Sequence, residues 1–317
     1  MKKALTRILT VALAVGMATA AGPARATTTA PISAPGTYSS DPSSTPSGGK
    51  TTRSLGGQVV VPAGSTRYLS SKLYVDDAAQ VTEVSHMVYC RKPGTTTNVA
   101  QLVSGQNVLA GTPATMLTRG FVTAPADTAL NCAVYSQFVN HAADARGSIR
   151  VLAASYLQDV NDDIAAVTQT FNGAVLVNTS AQANVVSFTA PSAATVVQAI
   201  GDVSITTCYG ADKGLCSRSL GARMGGAGSY VGTQLIVNQL RADDSVCRTT
   251  TNGPLAGVYV SNTVHHYRIN TWLTNVPVDT SCGSRKFVSY TRTTANASGN
   301  SFKIEANNQS VGAVFAP

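Results

Sequence analysis

The residues best able to do chemistry in this 317-residue chain are six cysteines, four histidines, two glutamates and a short acidic run over 159–163. A hydrolase needs a nucleophile, a base beside it and a group that orients the base. The sequence holds no Gly-x-Ser-x-Gly elbow and no Gly-Asp-Ser-Gly run. Of His86, His141, His265 and His266, the last two are adjacent in a strand-like stretch over 264–272. Successive side chains of a strand point to opposite faces, so these two are not expected to share a site. Glycoside hydrolysis needs two facing carboxylates, but Glu83 and Glu305 stand in different halves of the chain. The aspartates gather in turn-like doublets (Asp76-Asp77, Asp162-Asp163, Asp243-Asp244) of the kind that cap backbone. Gly225-Gly226-Ala227-Gly228-Ser229-Tyr230 looks like a phosphate loop but leads into a strand-like stretch over 231–240, not a helix. The expectation is a protein without catalytic residues or an organic cofactor, one that binds and is not an enzyme.

Residues 1–26 read as a secretory signal peptide. Lys2, Lys3 and Arg7 form its basic start, 8–21 its short apolar stretch and Ala24-Arg25-Ala26 its cleavage site. The first cysteine is Cys90, so no lipid-anchoring cysteine follows the signal. The expectation is a secreted, extracellular protein without a membrane span. Cleavage removes Lys2, Lys3, Arg7 and Arg25 from the 23 basic residues and none of the 15 acidic ones, taking the net charge from +8 to +4. No Lys/Arg-rich run survives, so nucleic acid is not an expected partner.

Only 12% of the residues are charged and 44% are apolar, against roughly a quarter charged in ordinary domains. The length suits two domains, each able to bury a core. Residues 27–56, rich in Thr, Ser, Pro, Ala and Gly, offer little apolar surface to offset their ordering entropy and are expected to form a disordered arm. From Gly57 onward, β-branched and aromatic residues alternate with polar ones between Gly, Asn and Pro turns. Val84, His86, Val88 and Cys90 share one strand face, and Leu130, Cys132, Val134 and Phe138 share another. The reading is an all-β chain of two tandem, disulfide-stapled, Ig-like β-sandwich modules, 57–160 and 161–317, the second an enlarged copy.

An internal repeat supports that plan. Ala78-Ala79-Gln80-Val81 leads to Cys90 as Ala193-Ala194-Thr195-Val196 leads to Cys208, and Cys132 precedes Phe138-Val139 as Cys282 precedes Phe287-Val288. Structural disulfides are expected in an exported chain. The repeat favours Cys90–Cys132, Cys208–Cys282 and Cys216–Cys247. The rival set keeps the first bridge and pairs Cys208 with Cys216 and Cys247 with Cys282.

The run Asp159-Val160-Asn161-Asp162-Asp163 lies where the first module ends. It resembles the calcium-binding linker of cadherin repeats, and its Asp159, Asn161 and Asp163 resemble the opening of an EF-hand loop. The resemblance implies calcium at the module junction. The sequence departs from the EF-hand pattern at its sixth and twelfth positions, which leaves a polar turn as the alternative.

A charge-poor surface rich in Thr, Ser, Asn and Gln suits recognition by shape and hydrogen bonding. The first reading is a secreted adaptor that bridges protein partners, its arm adding a strand to a partner's sheet. This plan is similar to that of linking subunits in secreted multiprotein assemblies, including umbrella-shaped toxin particles, and the composition resembles that of proteins exported by high-GC Gram-positive bacteria. The second reading is a module that binds carbohydrate, either cell wall or another polysaccharide. Trp272 and Tyr267, or Tyr68, Tyr74, Tyr156, Tyr230 and Tyr259, would stack on sugar rings. The third is a protease inhibitor presenting Lys213 on the loop 209–215 between Cys208 and Cys216.

Overall fold

The computed structural model of the chain describes residues 27–140, 146–160, 164, 166–207, 228–261, 264–295, 301–305 and 309–317. The protein is all-β and of the sandwich kind. Ten strands come from the N-terminal half: β1 (Thr27–Pro31), β2 (Gly36–Pro42), β3 (Arg53–Val61), β4 (Thr66–Asp76), β5 (Thr82–Arg91), β6 (Asn98–Val108), β7 (Ala114–Thr123), β8 (Leu130–Asn140), β9 (Gly147–Val151) and β10 (Tyr156–Val160). They form a continuous sheet folded into two layers. One layer runs β1–β10–β4–β7, with β2 and β9 extending the β1 and β10 rows. The other runs β3–β8–β5–β6. Strand β2 joins the layers, pairing antiparallel with β9 and then parallel with β8 at Asp41 and Pro42. Alternation fills the space between them: Leu69, Leu73 and Ile149 pack in one core with Val84, Val88, Leu130, Val134 and Phe138. Cys90 and Cys132 stand directly opposite in the β5–β8 register and are disulfide-bonded.

The segment 27–56 is therefore not a free arm, which corrects the expectation from composition. Strands β1 and β2 lie along β10 and β9, and Ile32 is buried in the core. The Tyr38 ring packs 5.5 Å from Phe138, and its hydroxyl donates to the Ala34 carbonyl. Thr and Ser bring little apolar surface, but an open sheet edge offers a row of backbone donors and acceptors that a composition count does not register.

The C-terminal half supplies β11 (Ala166–Phe171), β12 (Val175–Val177), β13 (Ser180–Thr189), β14 (Val196–Thr206), β15 (Ser229–Leu240), β16 (Val246–Thr251), β17 (Ala256–Val260), β18 (His266–Ile269), β19 (Trp272–Pro277), β20 (Lys286–Ala295), β21 (Phe302–Ile304) and β22 (Val311–Ala316). A seven-stranded sheet is centred on β14, which pairs with β22 and β21 on one side and with β19 and β18 on the other. A five-stranded sheet runs β13–β20–β15, with β16 and β17 along the far edge of β15. Phe188, Leu235, Val237 and Phe287 of the second sheet pack with Val197, Ala199, Val276 and Val314 of the first.

Cys282 is bonded to Cys247. This corrects the Cys208–Cys282 and Cys216–Cys247 pairing drawn from the repeat. Strands β5 and β8 are neighbours in one layer, whereas β14 and β20, their supposed counterparts, belong to different sheets. The bridge therefore cannot be transferred from one half to the other. Strands β16 and β20 instead flank β15, and Cys247 meets Cys282 near its C-terminal end. Cys208 and Cys216 lie outside the described residues, as does the signal segment 1–26. No helix among the described residues is long and apolar enough to cross a membrane. The two described disulfides are consistent with an extracellular protein.

The two halves meet at a buried seam. Asp202 of β14 is wholly buried and accepts from Arg119 of β7 through Nε at 2.9 Å and Nη2 at 2.8 Å. Arg268 Nη2 adds a contact at 3.4 Å and the Thr271 backbone N–H one at 3.2 Å. Burial alone would raise the Asp202 carboxyl, but Arg119 and Arg268 outweigh it and hold it below its ordinary range. Around this pair Tyr68 and Phe121 from the first half pack on Ile200, Ala313 and Phe315 from the second. Burial pushes the Tyr68 hydroxyl up to about 12. Further along, the His266 backbone N–H donates to Asn107 at 2.6 Å, and the Gln169 side chain accepts from the Phe121 N–H at 2.8 Å.

Two outcomes test this account. Asp202→Asn leaves Arg119 and Arg268 buried together without an anion and is expected to destabilise the fold by about 3–5 kcal/mol, read as a lower denaturation midpoint. Stability should also peak near pH 6.5. Burial would lower His266, but Glu305 at 3.1 Å and Glu83 raise it to about 9 against the opposing charge of Lys50. Its contribution is full below the unfolded value of about 6.5 and is lost as pH rises through 9. His86 is buried and lowered to about 4, although its contact with the Ser71 carbonyl opposes the shift. The unfolded state therefore takes up the proton first, and stability falls as pH drops from 6.5 towards 4. Thermal melts across pH 4–10 check both limbs, and His266→Gln should flatten the alkaline one.

Candidate binding face

The seam covers one face of the seven-stranded sheet, and the opposite side of that half presents the outer face of the five-stranded sheet. Tyr230 of β15 and Tyr259 of β17 stand directly opposite in register, 53% and 49% exposed, with ring centroids 4.9 Å apart and planes tilted by 51°. Two residues along the same face, Gly232 is paired with Gly257. This glycine pair floors a trough of about 380 Å³ lined by Tyr230, Leu255, Thr294 and Ala295. A Cβ on Gly232 would stand 2.6 Å from both Leu255 and Thr294, whereas one on Gly257 would meet nothing within 4 Å.

Leu255 is presented by a braced turn. The Leu235 N–H donates to Asn252 Oδ1 at 2.8 Å, Gln234 Nε2 donates to the Gly253 carbonyl at 2.6 Å, and Gly253 sits at φ +110°, where other residues are strained. Leu255 thus remains 45% exposed on a fixed backbone. The lining offers one phenol ring, a threonine hydroxyl and aliphatic side chains, with no charged group among the residues that form it. Such a surface can stack on and hydrogen-bond a neutral ligand.

The other sequence candidates are dispersed. Trp272 is 40% exposed at the rim of the seam, where it packs 5.7 Å from Tyr68 and lies 5.0 Å from the Arg119 guanidinium. Tyr68 is buried in that seam, Tyr74 and Tyr156 are half-buried on other strands, and Tyr267 packs against the core. Asp159 is buried on β10, paired with Thr28 and Leu69, while Asn161 and Asp163 lie outside the described residues. No group of His, Cys, Asp and Glu among the described residues could hold a metal ion. The loop 209–215, Lys213 included, and His141 also lie outside them. The expected strand over 264–272 is split into β18 and β19, and the His265 and His266 rings lie 4.5 Å apart, not on opposite faces.

Tyr89 and Tyr135 form a further aromatic pair outside the sequence candidates. Their signal was present: the alternation that turns Cys90 and Val134 inward turns these two outward, on neighbouring strands. Their rings lie 5.0 Å apart on the free face of β5 and β8.

No known protein family matches the sequence, and no curated protein matches it. Among solved structures the chain is similar to PNGF-II, with 11% identity, a TM-score of 0.38, and coverage of 92% of this chain and 65% of that one. It is similar to the T13 IBDV viral particle at 12% identity and a TM-score of 0.30, covering 92% of this chain and 69% of that one. It is also similar to the N-terminal CBM22-1-CBM22-2 tandem domain of Paenibacillus barcinonensis Xyn10C at 12% identity and a TM-score of 0.26, covering 82% and 83%.

Proposed function

We propose that this is a secreted, non-enzymatic binding protein that takes a neutral carbohydrate chain on the Tyr230–Tyr259 face. The observation that carries the reading is the pair of half-exposed tyrosines beside a glycine-floored trough on a rigid sheet. Pyranose rings present apolar C–H faces that stack on aromatic rings, and their hydroxyls find partners in Thr294 and the phenols. Because the two rings are tilted by 51° and not coplanar, they cradle a single chain in preference to a flat crystalline surface. Bridging of protein partners through a free arm loses its docking element, since β1 and β2 take that arm into the sheet.

Affinity electrophoresis through soluble neutral glycans such as xylan and mixed-linkage glucan tests the reading. Wild-type protein should be retarded, and Tyr230→Ala/Tyr259→Ala should bind about 5- to 150-fold more weakly, given roughly 0.5–1.5 kcal/mol per aromatic contact. Gly257→Leu, which enters open space and fills the trough, should do the same with an unchanged melting temperature. Free migration of the wild type in every neutral glycan overturns the assignment.

A further inference from the structure

The outer face of the N-terminal half carries a second aromatic pair with a different electrostatic character. Arg91 lies over the Tyr135 ring at 4.8 Å and near the Tyr89 ring at 5.4 Å. It donates through Nε to Asn98 Oδ1 at 2.7 Å and through Nη1 to the Tyr135 hydroxyl at 3.1 Å. No carboxylate among the described residues ion-pairs with it. By contrast, Arg119, Arg150, Arg248 and Arg268 each have an aspartate partner. Arg91 is thus a guanidinium held by two hydrogen bonds and two rings, with no carboxylate and no partner for Nη2 among the described residues.

The platform opens onto a groove. Asn98, which anchors Arg91, and Gln101, which pairs with Tyr89 across β5–β6, both line a cavity of about 430 Å³ that continues to Phe121, Gln169 and Phe171. Phe171 belongs to the C-terminal half, so the groove exists only because the seam holds the halves together. Its mouth is partly apolar, with Val99 43% and Phe171 37% exposed.

We infer that this face is a second glycan subsite, specific for a uronate-bearing polysaccharide, with the sugar carboxylate on the Arg91 guanidinium and the chain running past Gln101 into the groove. The inference rests on the reading of the protein as a glycan binder and extends it to a separate surface and an acidic substrate class. A planar carboxylate matches the guanidinium fork, the two rings hold that fork in place, and the exposed Val99 and Phe171 at the groove mouth offer apolar contact that a free anion would not use. Charge complementarity separates this ligand from the neutral chain assigned to Tyr230 and Tyr259.

The test is affinity electrophoresis of the full chain in polygalacturonate, its methyl ester and neutral xylan, with Arg91→Gln, Arg91→Lys and Tyr230→Ala/Tyr259→Ala compared at equal melting temperature. Wild type should be retarded more in polygalacturonate than in the ester. Arg91→Gln should lose that binding by about tenfold or more, as expected for a charge-assisted hydrogen bond, while keeping its retention in xylan. Arg91→Lys should fall between them, since it keeps the charge without the fork. Equal retardation in polygalacturonate and its ester, or an unchanged Arg91→Gln, overturns the inference. Loss of xylan binding alone overturns the neutral-chain reading, and free migration in all three overturns both.

Discussion

Asp202 carries a negative charge with no exposure to water, and it is tolerable there only because Arg119 reaches it from the other half of the chain. Burying either charge alone would cost several kcal/mol, and the pair recovers that cost only in a geometry that satisfies both carboxylate oxygens. The bidentate contact, with Arg268 and the Thr271 N–H completing the set, therefore fixes β7 against β14. A hydrophobic contact alone would tolerate sliding. This one does not.

The consequence reaches both candidate faces. Because the β4–β7 surface covers the outer side of β14 and β22, those two strands are buried on both faces. Each half is left with one principal uncovered sheet surface, and each carries a tyrosine pair, Tyr230–Tyr259 and Tyr89–Tyr135. The groove that leads from Gln101 to Phe171 is itself a product of the seam. The seam thus holds the two surfaces in one fixed relation.

Much of the fold was legible in local pattern. Alternation placed Val84, Val88 and Cys90 inward, and the same alternation brought Cys132 inside on a strand directly opposite. The all-β class followed from turn punctuation and β-branched residues. The repeat misled because similar short strings, Phe138-Val139 and Phe287-Val288, occupy strands with different neighbours. The arm misled because its order comes from backbone pairing to β9 and β10, for which Thr and Ser composition has no signature.

The tyrosines show where local pattern stops. That Tyr230 faces outward follows from the inward Val231 beside it, but its partnership with Tyr259 depends on β17 lying along β15, a pairing across many intervening residues. Likewise an aspartate such as Asp202 reads in the sequence as one more polar residue, and only the meeting of β7 and β14 makes it the buried centre of an ionic seam. Local sequence pattern sufficed for strand content and for the orientation of side chains along each strand, Cys90 and Cys132 included, because these depend on residues a few positions apart. Which strands are neighbours, which surfaces remain open and which cysteines meet were decided by tertiary structure, because they depend on burial and hydrogen bonding between segments whose separation along the chain carries no record of their contact.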